Sequence, residues 1–358
     1  MEISELLAFA KKNKASDVHL ISNHPPMLRI HGDIIPVRVH ALHSSEVISM
    51  LHSIMSDKSR IEYEQNYEAD FAVNFNTEGR FRVNAFTTIN GPAAVLRSIP
   101  TQVQTLEELR LPNTIQNFAH LNKGLVLVTG PTGSGKSTTL AAIIDHINQH
   151  QSRHILTIED PIEFVHKSAR SLVNQREVGS HTKSFATALR SALREDPDVI
   201  LVGELRDLET MRLALTAAET GHLVFATLHT SSAAKTIDRI IDVFPEGDKA
   251  MARTMIAGSL EAVITQLLVK TSDGAGRMAV NEILIANSAV RNLIRDSKIP
   301  QIYSIMQVSS KIGMRVMKDS VYELLKEQLI TPEEAKRILN LEKGSHEDDA
   351  ERGIKGNF

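Results

Sequence analysis

Residues 124–138 read Gly-Leu-Val-Leu-Val-Thr-Gly-Pro-Thr-Gly-Ser-Gly-Lys-Ser-Thr. Leu125–Thr129 is a nearly continuous apolar run, as expected of a parallel strand covered on both faces. Gly130 to Ser137 fits G-x-x-x-x-G-K-[ST], and a helical pattern opens at Thr138 and continues to Ile147. A strand, a glycine-rich loop and a helix in that order form the context in which this motif cradles phosphate. Glycines let backbone N–H groups converge on the anion, and the helix N-terminus adds partial positive charge. Gly130, Pro131, Thr132, Gly133, Ser134, Gly135, Lys136, Ser137 and Thr138 are therefore the candidate nucleotide-binding residues. Lys136 is expected on the β- and γ-phosphates of ATP, and Ser137 on Mg²⁺.

Working outward, His154–Ile158, Val199–Val202 and Leu223–Leu228 repeat the apolar strand pattern. Between them lie helical segments. Lys183–Arg194 places Phe185, Leu189 and Leu193 on one face, and Leu208–Glu219 does the same with Leu208, Met211 and Leu215. This alternation predicts an α/β fold with an open parallel sheet and right-handed crossovers. Ligands bind such sheets at the C-terminal ends of the strands. Asp198 to Glu204 is an apolar strand ending in an acid, a pattern that supports Mg²⁺ directly or through water. Glu159 and Glu163 cluster after the strand at 154–158, where a carboxylate can orient or deprotonate attacking water; spacing does not rank them, and Asp160-Pro161 also suits a helix cap. His222 precedes the strand at 223–228 and His229 follows it. His229 is placed to contact a γ-phosphate, although with 15 histidines in the chain an ordinary structural role competes. No H-E-x-x-H or other zinc spacing occurs.

Upstream, residues 1–98 form a separate mixed α/β unit. Helices are expected around Ile3–Ala10 and Val47–Met55, and strands at Val18–Ile21, Met27–Ile30 and Ala93–Ser98. A hairpin joins Phe71–Phe75 to Arg80–Phe86 through Asn76-Thr77-Glu78-Gly79. Arg80, Arg82 and Arg97 lie on these strands, either in surface salt bridges or as arginine fingers toward a neighbour's nucleotide. Residues 99–112 read as a linker, in which Thr105-Leu-Glu-Glu can close a capping box. Residues 113–340 are the nucleotide-binding domain, expected to turn helical after about residue 245, with Thr331-Pro-Glu-Glu starting a late helix. Residues 341–358, with three glycines and an acidic run, are expected to be disordered.

Composition narrows the function. The 358 residues carry 40 Lys+Arg and 43 Asp+Glu, a net charge of −3, and contain no cysteine. That excludes disulfides, thiol nucleophiles, iron–sulfur clusters and zinc ribbons. A near-neutral chain with 4% aromatic residues is a poor nucleic-acid binder. The acidic start argues against a targeting peptide, and no apolar run reaches the ~20 residues of a membrane span. A cytoplasmic protein is expected.

The assembled motifs identify a resemblance. GPTGSGKST at 130–138, RHILTIEDPIEFVH at 153–166, DPDVILVGELRD at 196–207 and GHLVFATLHTSSAAKTIDRIID at 221–242 together resemble the PilT family of type IV pilus retraction ATPases, within the secretion ATPases. Residues 289–296, AVRNLIRD, are similar to that family's retraction-associated AIRNLIRE. The resemblance implies a PAS-like N-terminal domain, a flexible linker and a RecA-like P-loop ATPase domain with a helical C-terminal region. It implies a homohexamer at the cytoplasmic face of the inner membrane, acting on a membrane platform protein and meeting the membrane only through protein, with a paralogous pilus ATPase as a further partner. It also implies that Glu163 is the catalytic carboxylate, Glu204 supports Mg²⁺, His222 and His229 approach the nucleotide, and Arg82 and Arg97 act at subunit interfaces. Extension and type II secretion relatives carry a four-cysteine zinc element that this chain cannot build. The competing expectations are an accessory retraction ATPase, a scaffold that binds nucleotide without hydrolysis, and a DNA translocase, which the charge balance disfavours.

Overall fold

Ile3, Leu6, Leu7 and Ala10 recur at helical spacing and form the buried stripe of α1 (Ile3–Lys12). The chain then lays down β1 (Asp17–Ile21), β2 (Met27–Ile30), β3 (Asp33–Pro36), α2 (Ser44–Ile54), α3 (Asp57–Asn66), β4 (Glu68–Phe75), β5 (Gly79–Thr88) and β6 (Gly91–Ile99). The strands form an antiparallel sheet in the order β3-β2-β1-β6-β5-β4. Period-2 alternation sends Val18, Leu20, Phe81, Val83, Ala85 and Leu96 into one core with Leu6, Leu7, Val47 and Leu51. Arg82 and Arg97 pair across β5 and β6 on the opposite face. Sequence patterning missed β3 and α3: β3 is exposed along its length, and α3 buries only Ser59 and Tyr63, so neither shows a periodic apolar face.

This computed structural model describes residues 2–30, 33–75, 79–99, 103–274 and 276–340. The hairpin turn at Asn76–Glu78 and the tail 341–358 lie outside them. The chain parts into two compact units between residues 102 and 103.

The second unit runs α4 (Asn113–Phe118), β7 (Gly124–Thr129), α5 (Lys136–His150), β8 (His154–Glu159), β9 (Leu172–Glu177), α6 (Phe185–Ala192), β10 (Val199–Val202), α7 (Leu208–Glu219), β11 (Leu223–Leu228), α8 (Ala233–Val243), α9 (Lys249–Ser259), β12 (Leu260–Lys270), β13 (Arg277–Ile285), α10 (Ser288–Arg295), α11 (Ile302–Val308) and α12 (Met317–Lys326). Residues 332–340 are helical as well, and the Thr331 hydroxyl accepts the Glu334 N–H at 3.3 Å. The sheet order is β13-β12-β7-β11-β10-β8-β9, parallel except for the β12–β13 hairpin. Apolar clusters cover both sheet faces, one with α6 to α11 and the other with α4 and α5. No helix among the described residues is long and apolar enough to cross a membrane.

Two expectations need correction. The chain does not simply turn helical after about residue 245, because β12 and β13 follow α9 and extend the sheet beyond β7. Leu260, Val263, Ile264, Leu267 and Leu268 have helical spacing, yet the free edge of β7 and its backbone groups recruit the segment as a strand. In the stretch read as a linker, Leu106 and Leu111 are buried in the second unit. Thr105 and Glu108 do close their capping box, at 3.1 and 2.8 Å, but around a turn.

Candidate active site

β7 is buried at every residue and delivers the glycine-rich loop to the C-terminal edge of the sheet. Gly130 has φ +139°, and a Cβ there would meet the Gln266 carbonyl oxygen at 2.2 Å, so no other residue fits. Gly135, at φ +85°, starts α5 with no side-chain cap, which leaves the first-turn N–H groups facing the loop. Pro131, Thr132 and Gly133 form the exposed tip. Lys136 is buried, and its ammonium donates to the Gly130 and Pro131 carbonyl oxygens at 2.8 and 3.0 Å. Burial pushes its pKa down, against the pull of Glu204 and Glu163. The Ser134 hydroxyl is buried without a hydrogen-bond partner. A donor group in such a position fits an anionic oxygen, so the loop is suited to phosphate.

The acids gather on one side of β7. Glu204 lies two residues beyond β10 and His229 one beyond β11. Glu204 contacts Arg206 at 2.8 Å and His229 Nε2 at 3.3 Å. Burial opposes its charge, but Arg206 and His229 outweigh burial and hold the carboxyl below the usual range. Glu159 ends β8 and accepts from Thr157 Oγ1 at 2.6 Å and Gln175 Nε2 at 3.2 Å. Burial nevertheless raises its carboxyl to about 7, above the pull of those bonds and of the Glu163 N–H. Glu159 and Ser137 line the same small cleft, together with Gly203 and Thr227. Glu163 is exposed, and its charge reaches both Glu159 and Lys136. An alcohol and carboxylates are the hard oxygen donors Mg²⁺ prefers, and few are needed, because Mg²⁺ keeps several waters and substrate oxygens. Among the described residues no group of three or more His, Asp or Glu is arranged to hold a metal ion.

On the other side of β7 a groove of about 620 Å³ runs from Gly135 and Thr138 to the β12–β13 hairpin. Leu109, Arg110, Leu268 and Met278 line it. Apolar side chains interleaved with polar ones, including the guanidiniums of Arg110 and Arg277, can take a flat heteroaromatic base next to the phosphate loop.

The structure does not bring every candidate together. His222 stands at the N-terminal end of β11, about 20 Å of strand from His229. Its ring bonds the Ala217 carbonyl at 3.0 Å, so within this chain it is not part of the phosphate site. Arg82 and Arg97 belong to the first unit, and both are held by carboxylates. Arg82 pairs with Asp70, and Arg97 Nε donates to buried Asp17 at 2.8 Å.

Sequence reading missed two glutamines. Gln175 on β9 bonds Glu159, the Phe164 carbonyl (2.9 Å) and the His166 N–H (2.7 Å), clasping the acidic loop. Gln266 on β12 touches the phosphate loop. The available signal was a lone amide interrupting the apolar run 262–269.

Comparison with known proteins places these features in context. A family model described as type II/IV secretion system protein matches residues 2–337. A twitching motility protein of Neisseria gonorrhoeae is 60% identical over 312 residues, covering 87% of this chain and 83% of the relative. The type IV pilus retraction ATPase PilT of Pseudomonas aeruginosa is 54% identical over 336 residues, covering 94% and 97%. A crystal structure of the pilus retraction motor PilT with bound ADP superposes with a TM-score of 0.88 at 48% identity, covering 94% and 96% of the two chains.

Proposed function

The chain belongs to the type II/IV secretion system protein family, and from that premise we propose that it is an ATPase that powers type IV pilus retraction and twitching motility. The observation that carries this reading is the phosphate loop with its buried, unpartnered Ser134 hydroxyl, set beside the Glu204–His229 pair.

In this reading Lys136 and the N–H groups opening α5 hold the phosphates, and the groove beside Thr138 holds the base. Ser137 and Glu204 are the residues that would hold Mg²⁺, directly or through water; when bound it neutralises charge developing on the phosphates. Glu163, exposed at the mouth of the site, takes the proton of attacking water. Glu159 holds the acidic loop to β9 through Gln175. His229 orients Glu204 and senses the terminal phosphate. Arg82 and Arg97 exchange their carboxylate partners for nucleotide across a subunit interface.

The working form is a cytoplasmic homohexamer at the inner-membrane face, pulling on a platform protein of the pilus machinery. Closure around ATP excludes water and drives the cycle. A gene deletion tests the motor role: hyperpiliated cells without twitching are expected, and normal retraction would reject it. Steady-state ATPase measurement on the purified assembly separates a motor from a scaffold that only binds nucleotide.

A further inference from the structure

Gln266 is buried on β12, the strand on the far side of β7 from the acidic residues. Its Nε2 donates to the Ser134 carbonyl oxygen inside the phosphate loop at 2.7 Å. Its Oε1 accepts from Thr139 Oγ1 at 2.8 Å and from Asn281 Nδ2 at 3.1 Å. The orientation of the amide is dictated, because the Ser134 carbonyl can only accept and must face the NH₂ end. Asn281 is the cross-strand partner of Gln266 on β13, and its N–H donates to Ser320 Oγ of α12 at 3.0 Å. Both ends of the loop also press on Gln266. A Cβ at Gly130 would lie 2.2 Å from its main-chain carbonyl oxygen, and one at Gly135 2.8 Å from its side-chain Nε2.

We propose that Gln266 is a positioning residue for nucleotide binding: its side-chain amide, held by Asn281, clamps the phosphate loop at Ser134 and the first turn of α5 at Thr139 in the shape that receives phosphate. The clamp joins a residue on either side of Lys136, so it fixes where the loop's N–H groups converge. It does not touch Glu163, Glu204 or His229. In this proposal the clamp governs how well the loop receives nucleotide and not the groups that act on water, so weakening it is chiefly loss of binding, which raises KM and largely spares kcat.

The proposal rests on the nucleotide reading of the site, and its test separates the two. In the full-length protein, Gln266→Met keeps an unbranched side chain and removes the amide. The expected result is an increase of about tenfold in KM for ATP and in Kd for ADP, the scale of one or two buried hydrogen bonds left unmade, with kcat little changed. Asn281→Ala, which only frees the amide, shifts KM the same way by less. The double variant is no worse than Gln266→Met alone, because the two residues act through one contact. Unchanged KM in Gln266→Met would overturn the proposal. So would a fall in kcat at constant KM, which reports lost active protein rather than a misplaced loop. If Gln266→Met does not fold, Asn281→Ala decides: raised KM supports the clamp and unaltered KM rejects it. Failure of the unaltered chain to bind ADP would remove the nucleotide reading as well, whereas normal binding with indifferent variants removes only the role of Gln266.

Discussion

His229 Nε2 stands 3.3 Å from Glu204 Oε1, the two side chains leaving neighbouring parallel strands just past their C-terminal ends. The imidazole and Arg206 share one carboxylate, so removing the ring leaves Glu204 tethered only toward Arg206. His229→Ala is expected to lower kcat by about 100-fold, the usual scale for losing one preorganised polar group. ADP affinity should stay close to that of the unaltered protein, because ADP lacks the terminal phosphate that His229 is proposed to sense. Paired ATPase and ADP titrations check this; equal loss in both would place His229 in binding instead.

Glu163→Gln separates the acids. Exposed at the site mouth, Glu163 bears little of the fold, so the amide should leave stability and nucleotide binding intact while kcat falls by at least about 100-fold. Single-turnover kinetics with ATP are the measurement, and near-normal turnover would move the proton-accepting role to Glu159.

Glu159 gives a pH signature. Its carboxyl is raised from 4.5 to about 7, with burial the largest cause. Folding therefore favours the protonated form. The associated stabilisation is complete below about pH 4.5, is lost as pH rises through about 7, and is absent above. Urea unfolding of the unaltered protein should show about 1–3 kcal/mol less stability at about pH 8 than at about pH 5 from this group. Glu159→Gln should flatten that slope. An identical slope in the variant would assign it to another residue.

The two first-unit arginines should differ in structural cost. Arg97 is the close partner of buried Asp17, with Arg29 farther off at 3.9 Å. Burial opposes charge on Asp17, and Arg97 and Ser16 reverse that, holding the carboxyl below its usual range. Arg97→Ala is expected to destabilise by about 1–3 kcal/mol. Both members of the Arg82–Asp70 pair are more than two-fifths exposed, so Arg82→Ala should cost under about 1 kcal/mol. Thermal unfolding tests the contrast. If both arginines also reach a neighbour's nucleotide, ATPase falls in both variants, including the one that stays stable.

The phosphate loop was legible because its chemistry is local: nine consecutive residues carry the turn, the lysine and the start of the helix. β8, β10 and β11 were legible because strands buried on both faces need unbroken apolar runs. β9 was not, since Leu-Val-Asn-Gln-Arg-Glu sits at the sheet edge and obeys no simple alternation. Gln266 was hidden for a different reason. Its partners Ser134, Thr139 and Asn281 are between 15 and 132 residues away, and its strand has helical apolar spacing. His222 shows the converse: its place beside β11 was read correctly, but the strand's own length carries it to the end remote from the phosphates.

β7 divides its sheet unequally, with β11, β10, β8 and β9 on one flank and β12 and β13 on the other. Everything suited to cleavage lies on the first flank, and the groove suited to the base lies on the second. The two tasks are thus encoded on separate strands, free to change independently. If the base lies in the groove as proposed, which nucleobase is accepted can drift through substitutions at Met278, which is remote in sequence from the acidic residues. Turnover can likewise be tuned around Glu204 without altering which fuel is burned.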